Sequence, residues 1–190
     1  RKMSKISFPL VLLSVGLFAC NQEVKEATGK TIGRRAPEIS EKEWINNPPL
    51  TMAQLHGKVV ALEFWEYTCV NCLRTLPHVK AWHRKYASQG LVVLGVHTPE
   101  FEGSKKRANV EKAVRELQIK YPVVLDNDYV IWNAFGNNWW PRIFLIDKKG
   151  VIRYDHIGEG AYGKTEAKIQ ELLREAAPKE LSILPDSTQN

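Results

Sequence analysis

Residues 64–77 read FWEYTCVNCLRTLP and contain the feature that decides the fold, a pair of cysteines separated by two residues. The run VVALEFW at residues 59–65 leads into the pair and is typical of a strand buried on both faces. In a strand followed by a helix, Cys69 lies at the helix N-terminus and Cys72 one turn inside. The free N–H groups and the positive end of the helix dipole favour the Cys69 thiolate, the form that attacks disulfides. We therefore predict that Cys69 is the nucleophile and Cys72 the resolving thiol.

Other uses of such a cysteine pair leave different traces in a sequence. The pair is half of a tetrahedral zinc site, but no second pair follows, and His78 lies about one and a half turns beyond Cys72 with no fourth ligand in sight. A copper-handling or redox-sensing protein and a purely structural disulfide remain alternatives. A peroxidase of the peroxiredoxin type needs Thr three residues before its reactive cysteine. In this sequence that position before Cys69 is occupied by Glu66. We predict no metal and no cofactor beyond the redox-active Cys69–Cys72 disulfide.

Length and composition indicate one globular domain. The chain has 190 residues, of which 44% are apolar and 25% charged. Its formal charge is +6, but three positive charges precede Cys20, and from there 24 basic and 21 acidic residues leave +3. No basic stripe with interleaved aromatic residues is present in the sequence, so we expect no nucleic-acid partner.

The N-terminal region has the pattern of an export signal. Residues 7–19 form an apolar stretch of 13, shorter than the roughly 20 residues that span a bilayer. The tetrapeptide LFAC at 17–20 resembles a bacterial lipobox, whose cysteine is lipidated and becomes the first mature residue. We predict a signal peptide at 1–19, a lipidated Cys20 with a flexible tether at 20–35, a domain at 36–177 and a tail at 178–190. The alternative is an ordinary signal peptide in which Cys20 is incidental.

The remaining elements alternate between strands and helices. LVVLGV at 91–96 and PVVL at 122–125 read as further buried strands. Apolar residues at 110, 113, 114 and 117 have helical spacing, as do those at 169, 172, 173 and 176, where Thr165 is the predicted N-cap. Residues 142–146 and 151–154 flank the turn sequence DKKG and predict a hairpin. The order indicates an α/β fold with a mixed central sheet and helices on both faces.

Together these motifs resemble the thioredoxin superfamily, specifically the TlpA/ResA-like extracytoplasmic thiol-disulfide oxidoreductases and the branch typified by the C-terminal domain of DipZ. The resemblance covers residues 36–176. It is carried by WINNPPLTMAQLHGKVVALEFWEYTCVNC at 44–72, HTPE at 97–100, LDND at 125–128, AFGNNWWP at 134–141 and GEG at 158–160. It implies a thioredoxin-like fold with an N-terminal extension and an insertion between the second βα unit and the final hairpin.

The resemblance also assigns residues near the cysteines. It places Cys69 and Cys72 on the nucleophilic and resolving positions, and Pro141 on a cis-proline that faces the disulfide. Such a turn exposes the backbone of Trp140 for pairing with an extended substrate segment. We expect Trp140, in preference to Trp139, to line the substrate groove, whereas core packing is the alternative for both.

Glu63 is the third catalytic candidate. It lies six residues before Cys69, where thioredoxins have a buried Asp, and it interrupts an apolar strand. Burial raises the pKa of a carboxyl group, which suits a residue that accepts and returns the proton of Cys72. The alternative is an acid that reaches solvent at a strand edge. Glu66 and Tyr67 are expected to shape the rim of the site.

The function implied by the resemblance is that of a membrane-tethered enzyme outside the cytoplasm. We expect a monomer, anchored by lipid to a bacterial membrane and facing the periplasm or the outer surface of the cell membrane. It would reduce protein disulfides, such as those of apocytochrome c, with electrons from a membrane donor of the DsbD/CcdA type. Because Val70 and Asn71 lie between the cysteines and tune their potential, the opposite direction, disulfide formation, stays open.

Overall fold

The computed structural model describes residues 31–177. This part of the chain contains six strands and four α-helices. In chain order they are β1 (Trp44–Ile45), β2 (Val59–Trp65), α1 (Val70–Tyr86), β3 (Leu91–His97), α2 (Arg107–Glu116), β4 (Val123–Leu125), α3 (Val130–Ala134), β5 (Arg142–Ile146), β6 (Ile152–Ile157) and α4 (Tyr162–Arg174). The predicted signal peptide, Cys20 and the C-terminal tail lie outside the described residues. Within residues 31–177, no helix has the length and apolar character needed to cross a lipid bilayer.

The six strands form one mixed sheet in the order β1-β4-β3-β2-β5-β6. The three central strands β2, β3 and β4 are parallel, whereas β1, β5 and β6 run antiparallel to their neighbours. Parallel neighbours need a crossover connection, and α1 supplies it between β2 and β3. The predicted thioredoxin-like α/β fold is confirmed.

Side-chain alternation on β2 separates the core into two layers. Ala61 and Trp65 pack in the cluster that includes α1, α2 and α4. Leu62 and Phe64 point the other way, toward α3 and the segment before β2. All seven residues of β2 are buried, as the apolar run predicted. Because successive side chains alternate between faces, Glu63 lies on the same face as Trp65 and therefore toward α1.

The hairpin near the C-terminus agrees with its prediction. Asp147 closes the turn by accepting hydrogen bonds on Oδ1 from the backbone N–H groups of Lys149 (2.9 Å) and Val151 (3.0 Å). Gly150 has φ of 80°, a left-handed conformation that glycine adopts without steric cost. The strands pair from Arg142 opposite Ile157 down to this turn.

The predicted start of the last helix is wrong. Helix α4 begins at Tyr162, so that Thr165 lies inside its first turn and is fully buried. The Thr165 hydroxyl is used by its own helix and by the sheet, since it lies 3.2 Å from Ala161 O and 3.0 Å from the Tyr154 hydroxyl on β6. The helix instead follows Ala161 in a left-handed conformation, with no side-chain cap. The hydroxyl therefore joins two elements rather than capping one.

Candidate active site

The carboxyl ends of β2, β3 and β4 meet at one edge of the sheet, and the chain segments leaving them are tied together there. Thr98 donates its backbone N–H to Trp65 O (3.2 Å), and Asp126 donates to His97 O (2.9 Å). The Asp126 carboxylate in turn accepts a hydrogen bond from Thr98 Oγ1 (3.1 Å). Strand β5 runs the other way and begins at this same edge. The segment that leads from β2 to the cysteines therefore starts beside two other segments that hydrogen bonds hold in place.

The two cysteines have different environments. Cys69 is the N-cap of α1, and its Sγ accepts a hydrogen bond from the Cys72 backbone N–H (3.3 Å). The two Sγ atoms of these free thiols lie 2.7 Å apart. Cys69 is partly exposed, whereas Cys72 is buried, and burial together with the neighbouring Cys69 raises the pKa of the Cys72 thiol. Cys69 is therefore accessible to a substrate disulfide, whereas Cys72 stays a thiol until a nearby base accepts its proton.

Glu63 is the predicted base, and it is buried within the sheet. It is only 2% exposed, and it pairs with Gly95 of β3 on one side and Ile143 of β5 on the other. Burial raises the pKa of Glu63 to about 8, although a hydrogen bond from Tyr121 opposes that rise. Glu63 also acts electrostatically on the Cys72 thiol. The predicted burial and raised pKa are confirmed, and the alternative of an acid reaching solvent is wrong. Its catalytic role stays a prediction.

Glu66 does not lie at the rim, as the sequence suggested, but is completely buried. Its Oε2 accepts a hydrogen bond from the Thr68 backbone N–H (2.7 Å), and its Oε1 lies 3.8 Å from His97 Nε2. Burial alone would raise its pKa, but the neighbouring His97, Ser104 and Thr68 side chains and the Thr68 N–H outweigh burial and lower the pKa of Glu66 to about 2. The ionised carboxylate thus fixes the turn before Cys69, whose N–H donates to Glu66 O (3.3 Å).

The carboxyls of Glu63 and Glu66 therefore differ in charge although they belong to adjoining parts of the chain. Thr68 donates to the Glu66 carboxylate through both its backbone N–H and its hydroxyl, and His97 lies nearby, whereas Tyr121 is the one described donor to Glu63. At neutral pH the Glu66 carboxyl is ionised and the Glu63 carboxyl holds its proton. Only Glu63 can exchange a proton near neutrality.

Pro141 lies at the same edge of the sheet as the cysteines. The Trp140–Pro141 peptide bond is cis, in agreement with the resemblance. Arg142, the next residue, pairs with Phe64 of β2, so that Pro141 lies beside the end of β2 from which the loop to Cys69 departs. The sheet register therefore brings the proline loop and the cysteine loop to one place.

Trp140 combines packing with partial exposure. Its Nε1 donates to Thr98 O (3.1 Å), and its ring centroid lies 4.1 Å from that of Trp132. Trp139 contacts the Arg142 guanidinium instead, at 5.4 Å from its ring. Core packing thus accounts for part of both indoles, and the role of Trp140 in lining a substrate groove stays a prediction.

This geometry can be compared with known proteins. The family model described as AhpC/TSA matches residues 32–155. The chain belongs to the AhpC/TSA family. It is 43% identical over 148 residues to protein DipZ of Mycobacterium tuberculosis, a match covering 76% of this chain and 21% of DipZ. The chain thus spans about a fifth of that relative's length.

Two further comparisons involve proteins of similar size. The chain is 30% identical to the thiol-disulfide oxidoreductase YkuV of Bacillus subtilis over 141 residues, which cover 73% of this chain and 94% of YkuV. A crystal structure described as a thioredoxin-like superfamily protein matches with a TM-score of 0.71 and 30% identity, covering 76% of this chain and 99% of the other. These findings support an AhpC/TSA family member with a thioredoxin-like fold, and a thiol-disulfide oxidoreductase is among the proteins it is similar to.

Sequence reasoning missed a buried ion pair behind the proline loop of this family member. Arg142 and Asp155 are both fully buried and form two hydrogen bonds, Nε to Oδ1 (2.8 Å) and Nη2 to Oδ2 (2.6 Å). Arg142 Nη1 also donates to Gly136 O (3.0 Å), at the start of the loop that ends in Pro141. The signal was present as Arg142 in the strand RIFLI and Asp155 in the paired strand IRYDHI.

His97 and Tyr121 were also missed as neighbours of the site. His97 belongs to the HTPE motif but had no assigned role; it is buried and stacks against the partly exposed Tyr67 at 5.5 Å. Tyr121 reaches Glu63 from the segment before β4, a contact between positions 58 residues apart that no local pattern indicates. Among the described residues, no group of three or more His, Cys, Asp and Glu side chains could hold a metal ion, and His78 stacks on Tyr162.

Proposed function

We propose that this protein is a lipid-anchored, extracytoplasmic protein-disulfide reductase in which Cys69 attacks, Cys72 resolves and Glu63 handles the proton of Cys72. The observation that carries the proposal is the asymmetry of the pair. A partly exposed sulfur at the helix N-terminus lies 2.7 Å from a buried one, and a buried carboxyl group interacts with the second. A structural disulfide would need neither the exposed nucleophile nor the buried acid.

The reaction transfers two electrons in two exchanges. The Cys69 thiolate attacks one sulfur of a substrate disulfide, forming a mixed disulfide and releasing the other substrate sulfur as a thiolate that takes a proton from solvent. Cys72 then loses its proton to the Glu63 carboxylate and attacks Cys69 Sγ. The mixed disulfide breaks, the second substrate sulfur leaves as a thiolate that takes a proton from solvent, and the Cys69–Cys72 disulfide forms. The dithiol is oxidised and the substrate is reduced to two thiols.

Glu63 makes the second exchange dependent on pH. A carboxyl group with a pKa of about 8 is mostly protonated at neutral pH and gains proton-accepting capacity as the pH rises. The resolving step should therefore accelerate from neutral pH toward a plateau above about 8. Rapid-mixing measurement of thiol release from a Cys69 mixed disulfide, as a function of pH, tests this step. A rate independent of pH through this range would remove Glu63 from it.

The names of the relatives refer to thiol-disulfide exchange without giving its direction, as in the protein YkuV and in one solved structure of 25% identity. We therefore propose the direction of electron flow by analogy with the TlpA/ResA-like family. We favour reduction of protein disulfides, with apocytochrome c as one substrate class and a membrane donor of the DsbD/CcdA type. Equilibration in glutathione or dithiothreitol buffers gives the reduction potential. A value near that of thioredoxin, about −270 mV, supports a reductant, whereas one near about −120 mV indicates a disulfide-forming oxidant.

The anchoring proposal concerns Cys20. A lipidated N-terminal cysteine would hold the catalytic domain at a membrane surface through several acyl chains. Cell fractionation of the wild type and of Cys20→Ser tests it, with mass spectrometry of the mature N-terminus. Retention of Cys20→Ser in the membrane fraction would overturn the anchor without affecting the redox proposal.

A further inference from the structure

Tyr121 reaches into the sheet from the segment between α2 and β4 and contacts Glu63. Its hydroxyl lies 3.5 Å from Glu63 Oε2, and its side chain has no solvent exposure. The backbone of this segment is held from two sides. Asn46 Nδ2 donates to Tyr121 O (3.1 Å), and the N–H of Gly95 donates to Pro122 O (3.0 Å). The hydroxyl is therefore delivered to the carboxyl group by a fixed part of the fold.

Gly95 makes room for this contact. It lies directly opposite Glu63 on β3, where any side chain would compete for the same space. A Cβ atom at Gly95 would meet Tyr121 Cε2 at 3.2 Å and Trp65 Nε1 at 2.9 Å. The tyrosine ring thus occupies the volume that a larger residue at 95 would fill. Gly95 does not have a positive φ, so the lack of space for a side chain, rather than the backbone conformation, explains the glycine here.

We propose that Tyr121 is a positioning residue for Glu63, which holds the carboxyl group in place and sets the pH range over which it accepts the proton of Cys72. This inference rests on the proposed role of Glu63. A hydroxyl donor stabilises the carboxylate more than the protonated acid. Burial raises the pKa of Tyr121 well above its ordinary value, so that the hydroxyl keeps its proton and remains a donor.

Among the described groups around Glu63, Tyr121 is the one that donates a hydrogen bond to its carboxyl group. Helix α1 contributes Cys72, β3 contributes Gly95 and β5 contributes Ile143, and only the first of these three titrates. Glu63 Oε1 has no hydrogen-bond partner among the described residues. On its outer side Tyr121 borders a cavity of about 170 Å³, where the titratable or charged neighbours are Lys80, His83, Arg84 and Lys120. The ring of His83 approaches the Tyr121 ring edge-on at 5.8 Å.

The test compares Tyr121→Phe with a matched control. Tyr121→Phe removes the hydroxyl and keeps the ring. Tyr86→Phe removes another buried tyrosine's hydroxyl, which donates to the unrelated Glu166 (2.6 Å). Carbon NMR of the oxidised full-length protein, labelled at glutamate carboxyl groups, follows the titration of Glu63. Loss of one signal in Glu63→Gln assigns it.

We expect the Glu63 midpoint to rise by about half to one pH unit in Tyr121→Phe and to stay unchanged in Tyr86→Phe. The pH profile of mixed-disulfide resolution should move upward by the same amount. An unchanged or lowered midpoint in Tyr121→Phe, or an equal shift in Tyr86→Phe, overturns the inference. Failure of the wild type to reduce any protein disulfide would overturn the proposed function instead, and the NMR titration would still decide whether Tyr121 tunes Glu63.

Discussion

Replacing Glu63 with Gln should raise the free energy of unfolding at neutral pH while slowing catalytic turnover. In the unfolded chain this carboxyl ionises near its ordinary value of 4.5, whereas in the folded protein burial holds its pKa at about 8. Below the lower value both states are protonated and the burial of Glu63 costs no ionisation energy. As the pH rises toward 8, the unfolded state releases a proton that the folded state keeps, so stability falls with pH. The loss reaches about 3 kcal/mol at pH 7 and about 5 kcal/mol above the folded pKa.

A glutamine has nearly the shape of the protonated acid and does not titrate. The difference in unfolding free energy between Glu63→Gln and the wild type should therefore grow by about 1.4 kcal/mol per pH unit between the two pKa values. Urea unfolding of the oxidised proteins, in which the cysteines do not titrate, measures it. Turnover should meanwhile fall at least about tenfold. Glu116→Gln, a change at an exposed carboxylate, is the control. Parallel stability curves for Glu63→Gln and the wild type would refute the burial argument.

Four other substitutions probe the rest of the site. Cys69→Ser should abolish disulfide reduction, whereas Cys72→Ser should trap mixed disulfides with its substrates, visible on non-reducing gels; trapping by Cys69→Ser would reverse the two roles. Glu66→Gln should lower the unfolding free energy by about 3 kcal/mol at neutral pH, because a carboxylate with a lowered pKa stabilises the fold above about pH 4.5 and loses that effect toward pH 2. Thermal and urea unfolding at several pH values measure this, and a constant difference down to pH 2 would contradict it. Asp155→Asn leaves the buried Arg142 without its anionic partner and should cost about 3–5 kcal/mol in urea unfolding, and a loss below about 1 kcal/mol would contradict the importance of that pair.

The order of elements and the position of the cysteines follow from local patterns in the sequence. The run at 59–65 is apolar at nearly every position because β2 is buried on both faces, and the hairpin turn at 147–150 is encoded by an Asp and a Gly that suit it. Thr165 shows where local reasoning fails. A hydroxyl that could cap a helix was used instead to join α4 to β6, and residue patterns do not distinguish the two uses.

Glu63 and Glu66 show, at the site, the same limit of prediction from local sequence. An acid within an apolar strand was enough to predict the burial of Glu63 and the raised pKa. Glu66, at the end of that strand, gave no comparable signal, because its burial depends on His97 and Ser104 from the next strand and loop.

The sequence by itself determined the thioredoxin-like order of strands and helices and the position of the sulfur pair at a helix start, since both depend on residues adjacent along the chain. Tertiary structure alone decided that Glu63 keeps its proton whereas Glu66 loses it, and that Tyr121 lies beside Glu63. Proton affinity inside a protein is set by burial and by donors arriving from distant segments, and that information exists only once the sheet has formed.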